Sequence, residues 1–359
     1  MKPQWFRTLE DTLRQPTAPF REEAVAAFVR RFAEANGLKT RADAAGNLHV
    51  TVRRSRRRPD WIFTAHMDHP GFVIVAARGR RARAEFRGNV EPPRFAGKRI
   101  VIRTQQGPVR AAIGRVRRMP STGFLDVALA LPPGAAVRPG DIGRWDVPVF
   151  RRRGDAVSAL ACDDLAGVAA ILCAMAERAR RGGGRAAALL TRAEEAGFTG
   201  ALEAARDARW ARGANVVVLE TSAERPGVRL GDGAVVRVGD AASIFDPDVT
   251  ADLWAVARDL ARRSPGFKAV RALMSGGTCE ATVFRLAGRP AGALCVPLGN
   301  YHNRAARRRV AAERIHANDF ASLVRLLIAL ASRRRPPAGA SARLRRRLDR
   351  RHRVLRRLL

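Results

Sequence analysis

Two adjacent carboxylates, Asp163 and Asp164, stand between a strand-like segment at 156–161 and an apolar run at 165–176. At the head of an apolar helix such a pair is costly to bury unless positive charge neutralises it. A divalent metal supplies that charge compactly, and the chain offers further donors in a consistent order. His66-Met67-Asp68 lies upstream; Glu194-Glu195-Ala196-Gly197, Glu220 and Tyr301-His302-Asn303 lie downstream. The chemistry is metal-assisted hydrolysis, in which two ions share one carboxylate and a free carboxylate handles the proton of water. In His-x-Asp, His66 and Asp68 point to the same side of an extended segment, so Asp68 can orient the imidazole. Asp163 would bridge. The adjacent side chains of Glu194-Glu195 diverge, so one can ligate while the other faces the water. Glu220 and His302 complete the two sets. Taken singly, each has a plainer explanation: a core histidine, a helix N-cap, a solvated acidic pair. Their joint occurrence, each after an apolar strand, points to a metal site.

The elements that must deliver these residues can be read from periodicity. Residues 61–65 form a short apolar strand leading into His66, and in open α/β sheets ligands bind at such carboxyl ends. After Asp163, a helix at 165–179 leads through Gly182-Gly183-Gly184 to a strand at 186–191. A helix at 198–208, a strand at 215–219 and then Glu220 follow. Further helices are expected at 248–263, 280–286 and 318–331, with strands at 270–273 and 292–296. Ser275-Gly276-Gly277-Thr278 reads as a tight loop and Gly231-Asp232-Gly233 as a turn. Upstream, 8–35 reads as helical with a break near 16–19, presenting Ala24, Phe28 and Phe32 at helical spacing. Segments 39–45 and 46–52 read as strand, turn and strand, and the arginine run at 53–58 as a hairpin tip or an exposed loop. Between 73 and 153 the texture changes to short β-like runs at 82–86, 99–104, 111–116, 124–129 and 147–150. The expected fold class is therefore α/β: a mixed sheet flanked by helices, with a small all-β lid inserted into it. Residues 1–72 and 154–331 would form the discontinuous catalytic domain, 73–153 the inserted lid, and 332–359 an Arg-rich C-terminal tail.

With 359 residues, a 47% hydrophobic and a 28% charged fraction, the chain has the composition of a globular protein with ample core. No apolar run reaches membrane-span length, and the N-terminus shows no apolar signal region. Cys162, Cys173, Cys279 and Cys295 are scattered without framework spacing, which fits a reduced cytoplasm. The formal charge of +34 rests almost wholly on arginine, since Lys2, Lys39, Lys98 and Lys268 are the only lysines. That skew reflects pressure on base composition, because phosphate binding would recruit both residue types. Affinity for polyanions follows from it without defining a function. In the tail, residues 336–339 (Pro-Pro-Ala-Gly) break from the core, and Leu344, Leu348, Leu355 and Leu358 fall near one face of a helix otherwise covered by arginine. That helix is expected to be loosely held, with attachment to an anionic membrane surface or nucleic acid as the sharper alternative.

The motifs together resemble a known family. His-Met-Asp-x-x-Gly-Phe from His66, Asp-Asp-x-x-Gly from Asp163, Glu-Glu-x-Gly-x-x-Gly-Ala from Glu194, Leu-Gly-x-Gly from Leu230, Gly-Gly-Thr from Gly276 and the late Tyr-His-Asn are similar to those of the tetrahedral, dodecameric-type metallo-aminopeptidases. These belong to the co-catalytic di-zinc peptidases, which include aminoacylase-like amidohydrolases. The resemblance spans about residues 8–331. It implies a zinc-peptidase-like fold, a homo-oligomer and an exopeptidase acting on short peptides with two divalent metals, zinc first and cobalt or manganese as alternatives. By carry-over one metal would take His66, Asp163 and Glu220, and the other Asp163, Glu195 and His302. Glu194 would be the general base, and Asp68 would support the ligand histidine. There are departures. His69-Pro70 replaces the usual Glu-Val, Leu165 stands where Arg is usual, Glu220 where Asp is common, and Cys279-Glu280 follow the Gly-Gly-Thr loop in place of Asp. No ligand position is lost, so the departures bear on specificity, and they raise whether His69 or Cys279 joins the site. An N-acyl amino-acid amidohydrolase or carboxypeptidase on the same metal core is one alternative. A non-catalytic polyanion-binding protein on a peptidase scaffold is another.

Overall fold

The computed structural model of the chain describes residues 1–55, 58–207, 209–334 and 339–358. Helices α1 (Pro3–Leu13) and α2 (Glu23–Ala35) lead into strands β1 (Leu38–Ala42), β2 (Leu48–Val52) and β3 (Trp61–His66). Six strands follow: β4 (Gly71–Arg78), β5 (Arg81–Arg87), β6 (Arg99–Thr104), β7 (Gly107–Arg118), β8 (Leu125–Ala130) and β9 (Ile142–Trp145). They close into a barrel in the order β4-β5-β8-β7-β6-β9. Then come β10 (Phe150–Arg153), β11 (Ala156–Ala159), α3 (Leu165–Arg180), β12 (Ala186–Thr191), α4 (Thr199–Arg206), β13 (Asn215–Ala223) and β14 (Ala234–Gly239). The chain continues through α5 (Pro247–Arg263), β15 (Ala269–Leu273), α6 (Glu280–Leu286), β16 (Ala291–Leu298), β17 (Glu313–His316), α7 (Ala317–Ser332) and α8 (Ala340–Leu355).

The main sheet has eight strands in the order β1-β2-β12-β3-β13-β16-β14-β15. Its four central strands, β12, β3, β13 and β16, run parallel, so their carboxyl ends share one edge. Strand β14 pairs antiparallel with β16, making the sheet mixed as expected. Helix α3 is buried from Leu165 to Glu177, because it lies between the sheet and helices α1 and α7. Its apolar character on every face is what that position requires. On the opposite face α4 and α6 cover Ile62, Leu189, Val216, Val218 and Ala293. A third, small sheet of β10, β11 and β17 stands apart.

The barrel is the all-β unit that the sequence suggested, and closure leaves it no open edge. Phe72, Phe86, Phe95 and Trp145 fill it, with successive ring centroids 4.9 to 5.0 Å apart. Two of its strands escaped the sequence reading. β4 carries a bulge between Ile74 and Ala76 that breaks its alternation, and β9 is only four residues long. The run at 147–150 is no strand of the barrel; β10 begins at its end, in the small sheet. In α2 the buried stripe is Val25, Val29 and Ala33, whereas Phe28 and Phe32 are half-buried and lie beside each other. The break expected at Pro336, Pro337 and Ala338 and part of the loop at 53–58 lie outside the described residues, as does Ala208 at the end of the helix expected at 198–208.

Helix α8 exposes Leu344, Leu348, Leu355 and all its arginines but Arg343, so the loosely held basic helix of the sequence reading is present. It is nevertheless tied to α5: Arg343 pairs with Asp252 at 2.7 Å, and the Ser341 amide donates to Asp248 at 2.7 Å. Such pairs contribute about 0–1 kcal/mol each at a surface. A chain ending at Arg334 is therefore expected to fold, with a midpoint of thermal unfolding only slightly lowered, and to elute from heparin at lower salt. Wholesale unfolding of that truncated chain would show that α8 is part of the core.

Candidate metal centre

The five segments singled out in the sequence meet at the carboxyl edge of the central strands. His66 is the last residue of β3. After β12, a turn with Ala193 in the left-handed region (φ 51°) presents Glu194 and Glu195. Glu220 lies inside β13, not after it, since that strand continues to Ala223. Beyond β16, Asn300, His302 and Asn303 are all left-handed, which turns the His302 imidazole into the cleft. Asp163 arrives from the small sheet through β11, not from the main sheet as the strand-by-strand reading implied. Asp164 caps α3, accepting from the Gly167 amide at 3.2 Å, across a cis Asp163–Asp164 peptide. A Cβ at Gly167 would overlap that carboxylate, which explains the glycine of Asp-Asp-x-x-Gly. Gly200 is required for a similar reason. Its backbone presses against Asn47 and Arg192, under the Glu194-Glu195 turn.

Asp163 lies between the two imidazoles: His66 Nε2 is 3.6 Å from Oδ1, and His302 Nε2 is 3.6 Å from Oδ2. His302 Nε2 also stands 2.8 Å from Glu195 Oε1, close as an ion pair though misaligned for a hydrogen bond. Donor atoms of His66, Asp163 and Glu195 all lie within 4.8 Å of one another, and so do those of His66, Glu194 and Glu220. Both members of Glu194-Glu195 thus fall within reach of a cation. The Asp68 carboxylate accepts from the amides of Glu194 and Glu195, at 3.0 Å each, so it holds the acidic turn. His66 Nδ1 lies 3.1 Å from the Asp68 backbone oxygen and 3.5 Å from its carboxylate. That fixes the ring with Nε2 toward the cleft.

Electrostatics follow from burial. Burial pushes the Glu194 carboxyl well above the ordinary range, and the charges of Glu195, Glu220 and Asp68 add to it. Burial likewise raises Glu220, to about 8. Burial opposes protonation of His302, but Glu195 and Asp163 outweigh it and raise the imidazole to about 10. Asp163 is moved the other way, because the imidazoles of His302 and His66 overcome the cost of burying its charge. Glu280, fully buried, is raised to about 7 by desolvation, and neither of its oxygens meets a well-formed hydrogen bond among the described residues. These carboxylates and two imidazoles are a hard-donor set in low dielectric that suits divalent cations. The fit is borne by individual atoms: His66 Nε2, His302 Nε2, Glu195 Oε1 and Glu220 Oε1 are buried without a hydrogen-bond partner among the described residues. Other buried atoms without a partner among the described residues, such as Trp5 Nε1 and Trp145 Nε1, are scattered singly, whereas these four converge on one cleft, as a ligand site requires.

His69 is not a donor to this set. Its Nδ1 faces the Asp163 backbone oxygen at 2.8 Å and its Nε2 the Asn303 side-chain oxygen at 3.1 Å, so both nitrogens are engaged. Among the described residues no cysteine joins a candidate metal group, and the Cys279 amide donates to Asp240. The sequence reading missed Glu313, whose carboxylate accepts from the Cys162, Asp163 and His302 amides. Its only sequence signal is alternation with Ile315 in a short strand. It also missed Arg237, which is almost fully buried yet makes no ion pair among the described residues. Its guanidinium lies over the Phe245 ring, and its nearest polar contact is Ser222 Oγ at 3.4 Å. Arg237, Arg225 and Arg304 line a cavity of about 150 Å³ that Glu220 and Tyr301 border on the metal side.

The model of the M42 glutamyl aminopeptidase family matches residues 134–326 of the chain. No curated protein matches its sequence. Among solved structures, the TET1 peptidase of Pyrococcus horikoshii, which can assemble into a tetrahedron or a large octahedral shell, is 23% identical with a TM-score of 0.75. That match covers 92% of this chain and all of the other. The TET aminopeptidase of a marine sediment archaeon, Thaumarchaeota archaeon SCGC AB-539-E09, is 18% identical over 92% of this chain and 97% of its own, with a TM-score of 0.76. An aminopeptidase from Desulfurococcus kamchatkensis is 21% identical over 94% of this chain and 95% of its own, with a TM-score of 0.72. At these identities the likeness shows the fold.

Removing divalent ions with a chelator is expected to lower the thermal midpoint, and Zn²⁺, Co²⁺ or Mn²⁺ to restore it. An ion that binds only the folded chain, at 100 times its Kd, adds about 2.7 kcal/mol. Scanning fluorimetry reads the shift. A midpoint unmoved by all three ions would mean that the cluster is not a metal centre.

Proposed function

The chain belongs to the M42 glutamyl aminopeptidase family, and from that premise we propose a di-metal exopeptidase that removes acidic residues from the amino end of short peptides. As a family member it is a metal-dependent aminopeptidase; the site residues, the ion count and the side-chain preference are our reading. His66, Asp163 and Glu220 would hold one ion, and Asp163, Glu195 and His302 the other, with zinc first and cobalt or manganese as alternatives. Two ions so held supply an acidified water and a Lewis-acid contact to the scissile carbonyl. The observation that carries this reading is the set of buried, unpartnered donor atoms around Asp163.

Glu194 takes the proton of the attacking water and returns it to the departing amine. Its carboxyl reaches the cleft but is largely desolvated, which raises its proton affinity as this task requires. Asp68 keeps Glu194 from drifting by holding the amides of both glutamates. The free amine of a substrate would be met by the excess of carboxylates, which an N-acyl group cannot exploit. The acidic side chain of the first residue would enter the cavity beside Glu220 and pair with Arg237, whose charge is otherwise uncompensated by any ion pair among the described residues.

We further propose that the chain forms a homo-oligomer, as the Pyrococcus peptidase does. Ile244, Leu273 and Leu286 are exposed on the body and suit subunit contacts. The four cysteines are free and buried, which suits the cytoplasm. No helix among the described residues is long and apolar enough to cross a membrane. Non-specific polyanion binding through α8 would accompany the activity, not replace it.

His66→Ala and His302→Ala are each expected to lower bound metal and activity together. Glu194→Gln should keep its metal while kcat falls by ~10²–10⁴. Metal analysis beside steady-state kinetics separates the cases, and loss of metal from Glu194→Gln at normal turnover per ion would reverse the roles of Glu194 and Glu195.

On amino-acyl p-nitroanilides, wild type should favour glutamyl over leucyl substrates and hydrolyse N-acetylated ones poorly. Arg237→Met should cut kcat/KM for the glutamyl substrate by about 10- to 100-fold, the worth of one charged hydrogen bond, and spare the leucyl one. Equal or faster hydrolysis of N-acylated substrates would replace the aminopeptidase with an amidohydrolase, and an unchanged preference in Arg237→Met would remove Arg237 from the specificity pocket.

A further inference from the structure

The turns that carry Asp163 and His302 come from distant parts of the chain, yet a single side chain binds both. Glu313 opens β17, which pairs with β11 in the register Ala159↔Glu313. The next residue, Arg314, bridges to Gly299 just beyond β16. This short strand therefore zips the segment before Asp163 to the segment before His302. It sets the Glu313 carboxylate, fully buried, against both turns. Oε2 accepts from the Cys162 amide at 2.8 Å and from the Asp163 amide at 3.0 Å, while Oε1 accepts from the His302 amide at 2.8 Å.

Three buried N–H groups converging on two oxygens suit a carboxyl side chain, whose two oxygens can both accept. Glu313 makes no ion pair with Lys or Arg among the described residues, so the amides are its compensation. The His302 turn needs an outside hold. Its three left-handed residues, Asn300, His302 and Asn303, occupy a region that costs non-glycine residues free energy. From the other side His69 closes the arrangement, reaching the Asp163 backbone oxygen and the Asn303 side chain, and Asn303 Nδ2 donates to the Leu160 oxygen at 2.8 Å. The His66 and Glu220 positions, on β3 and β13, have no bond to Glu313.

We propose that Glu313 is the positioning residue that sets the distance between the Asp163 carboxylate and the His302 imidazole, and with it the affinity of the metal position these two share with Glu195. This rests on the two-metal reading above. Glu313 touches neither substrate nor ion; it acts through the backbone of two ligand turns.

Full-length wild type, Glu313→Gln and Asp319→Asn are compared by equilibrium dialysis with Co²⁺ and by the visible absorption of the bound ion. Glutamine keeps the size of the side chain but puts an NH₂ donor against amide donors. Asp319 is the control: it too is fully buried and accepts two amides, those of Gly231 and Gly233 at 2.8 Å each, but away from the cleft. Wild type should take two ions. Glu313→Gln should bind one of the two ions about 10- to 100-fold less tightly, as loss of a supporting partner does elsewhere, with its absorption altered and the other ion retained. Asp319→Asn should lose stability but titrate like wild type. Equal affinity for both ions in Glu313→Gln would overturn the proposal, and so would the same loss in Asp319→Asn, which would make the effect one of general destabilisation. If Glu313→Gln does not fold, Glu313→Asp, which keeps both acceptors one methylene back, must show the selective loss. A wild type with one ion refutes the two-metal reading, and the Glu313 proposal then turns on whether that ion is weakened. Binding of none overturns both.

Discussion

Carboxylates of like charge cannot be gathered inside a protein unless donors, cations or protons meet each of them. Here Asp68, Asp163, Asp164, Glu194, Glu195, Glu220 and Glu280 crowd around two imidazoles. The structure divides them by what satisfies them. Asp68 and Asp164 accept from backbone amides, as does Glu313 behind the cleft. Those bonds are local and stay within the protein. Asp163, Glu195 and Glu220, with His66 and His302, keep donor atoms turned into the cleft. The first group holds the turns from which Asp163, Glu195 and His302 project.

The sheet makes this gathering possible. Four neighbouring parallel strands bring their carboxyl ends to one edge, and the chain leaves β3, β12 and β16 in turns that expose polar side chains there. Ala193, His302 and Asn303 hold left-handed conformations in those turns. Strain of this kind persists where surrounding bonds over-determine it, and here the amide acceptors are those bonds. The barrel departs right after the His66-Met67-Asp68 segment and returns before Asp163. Its four-ring core makes it a separately packed unit.

The arginine surplus and the acidic cleft are separate matters. Most arginines are exposed or paired locally, as Arg14 is with Glu10 and Arg181 with Glu177. Arg237 differs because it is buried, close to Glu220 and without an ion-pair partner among the described residues. A buried guanidinium cannot shed its charge by losing a proton, so it must find an anion or remain uncompensated. The acidic substrate group proposed above would supply that anion beside the candidate ion site.

The donor types, their order along the chain and most strands and helices that carry them were legible in the sequence. Asp163, Glu194, Glu195 and His302 sit in short motifs whose glycines have local steric reasons, at Gly167 and Gly200. The strand at Ala186–Thr191 and the helix at Glu280–Leu286 follow from local apolar patterning, which depends only on neighbouring residues. What the sequence could not show is whatever depends on contact between distant segments. The pairing of β11 with β17, and hence the place of Glu313, has no local signature, since a four-residue strand carries almost no periodicity. The same is true of β9 and the bulged β4, which only barrel closure makes strands. The helical spacing of Ala24, Phe28 and Phe32 does not tell which face of α2 is buried, because the surface the helix meets decides that, and it buries Val25, Val29 and Ala33. His69 looked like a possible donor in sequence. Only the tertiary structure, by engaging both its nitrogens with Asp163 and Asn303, made it a brace.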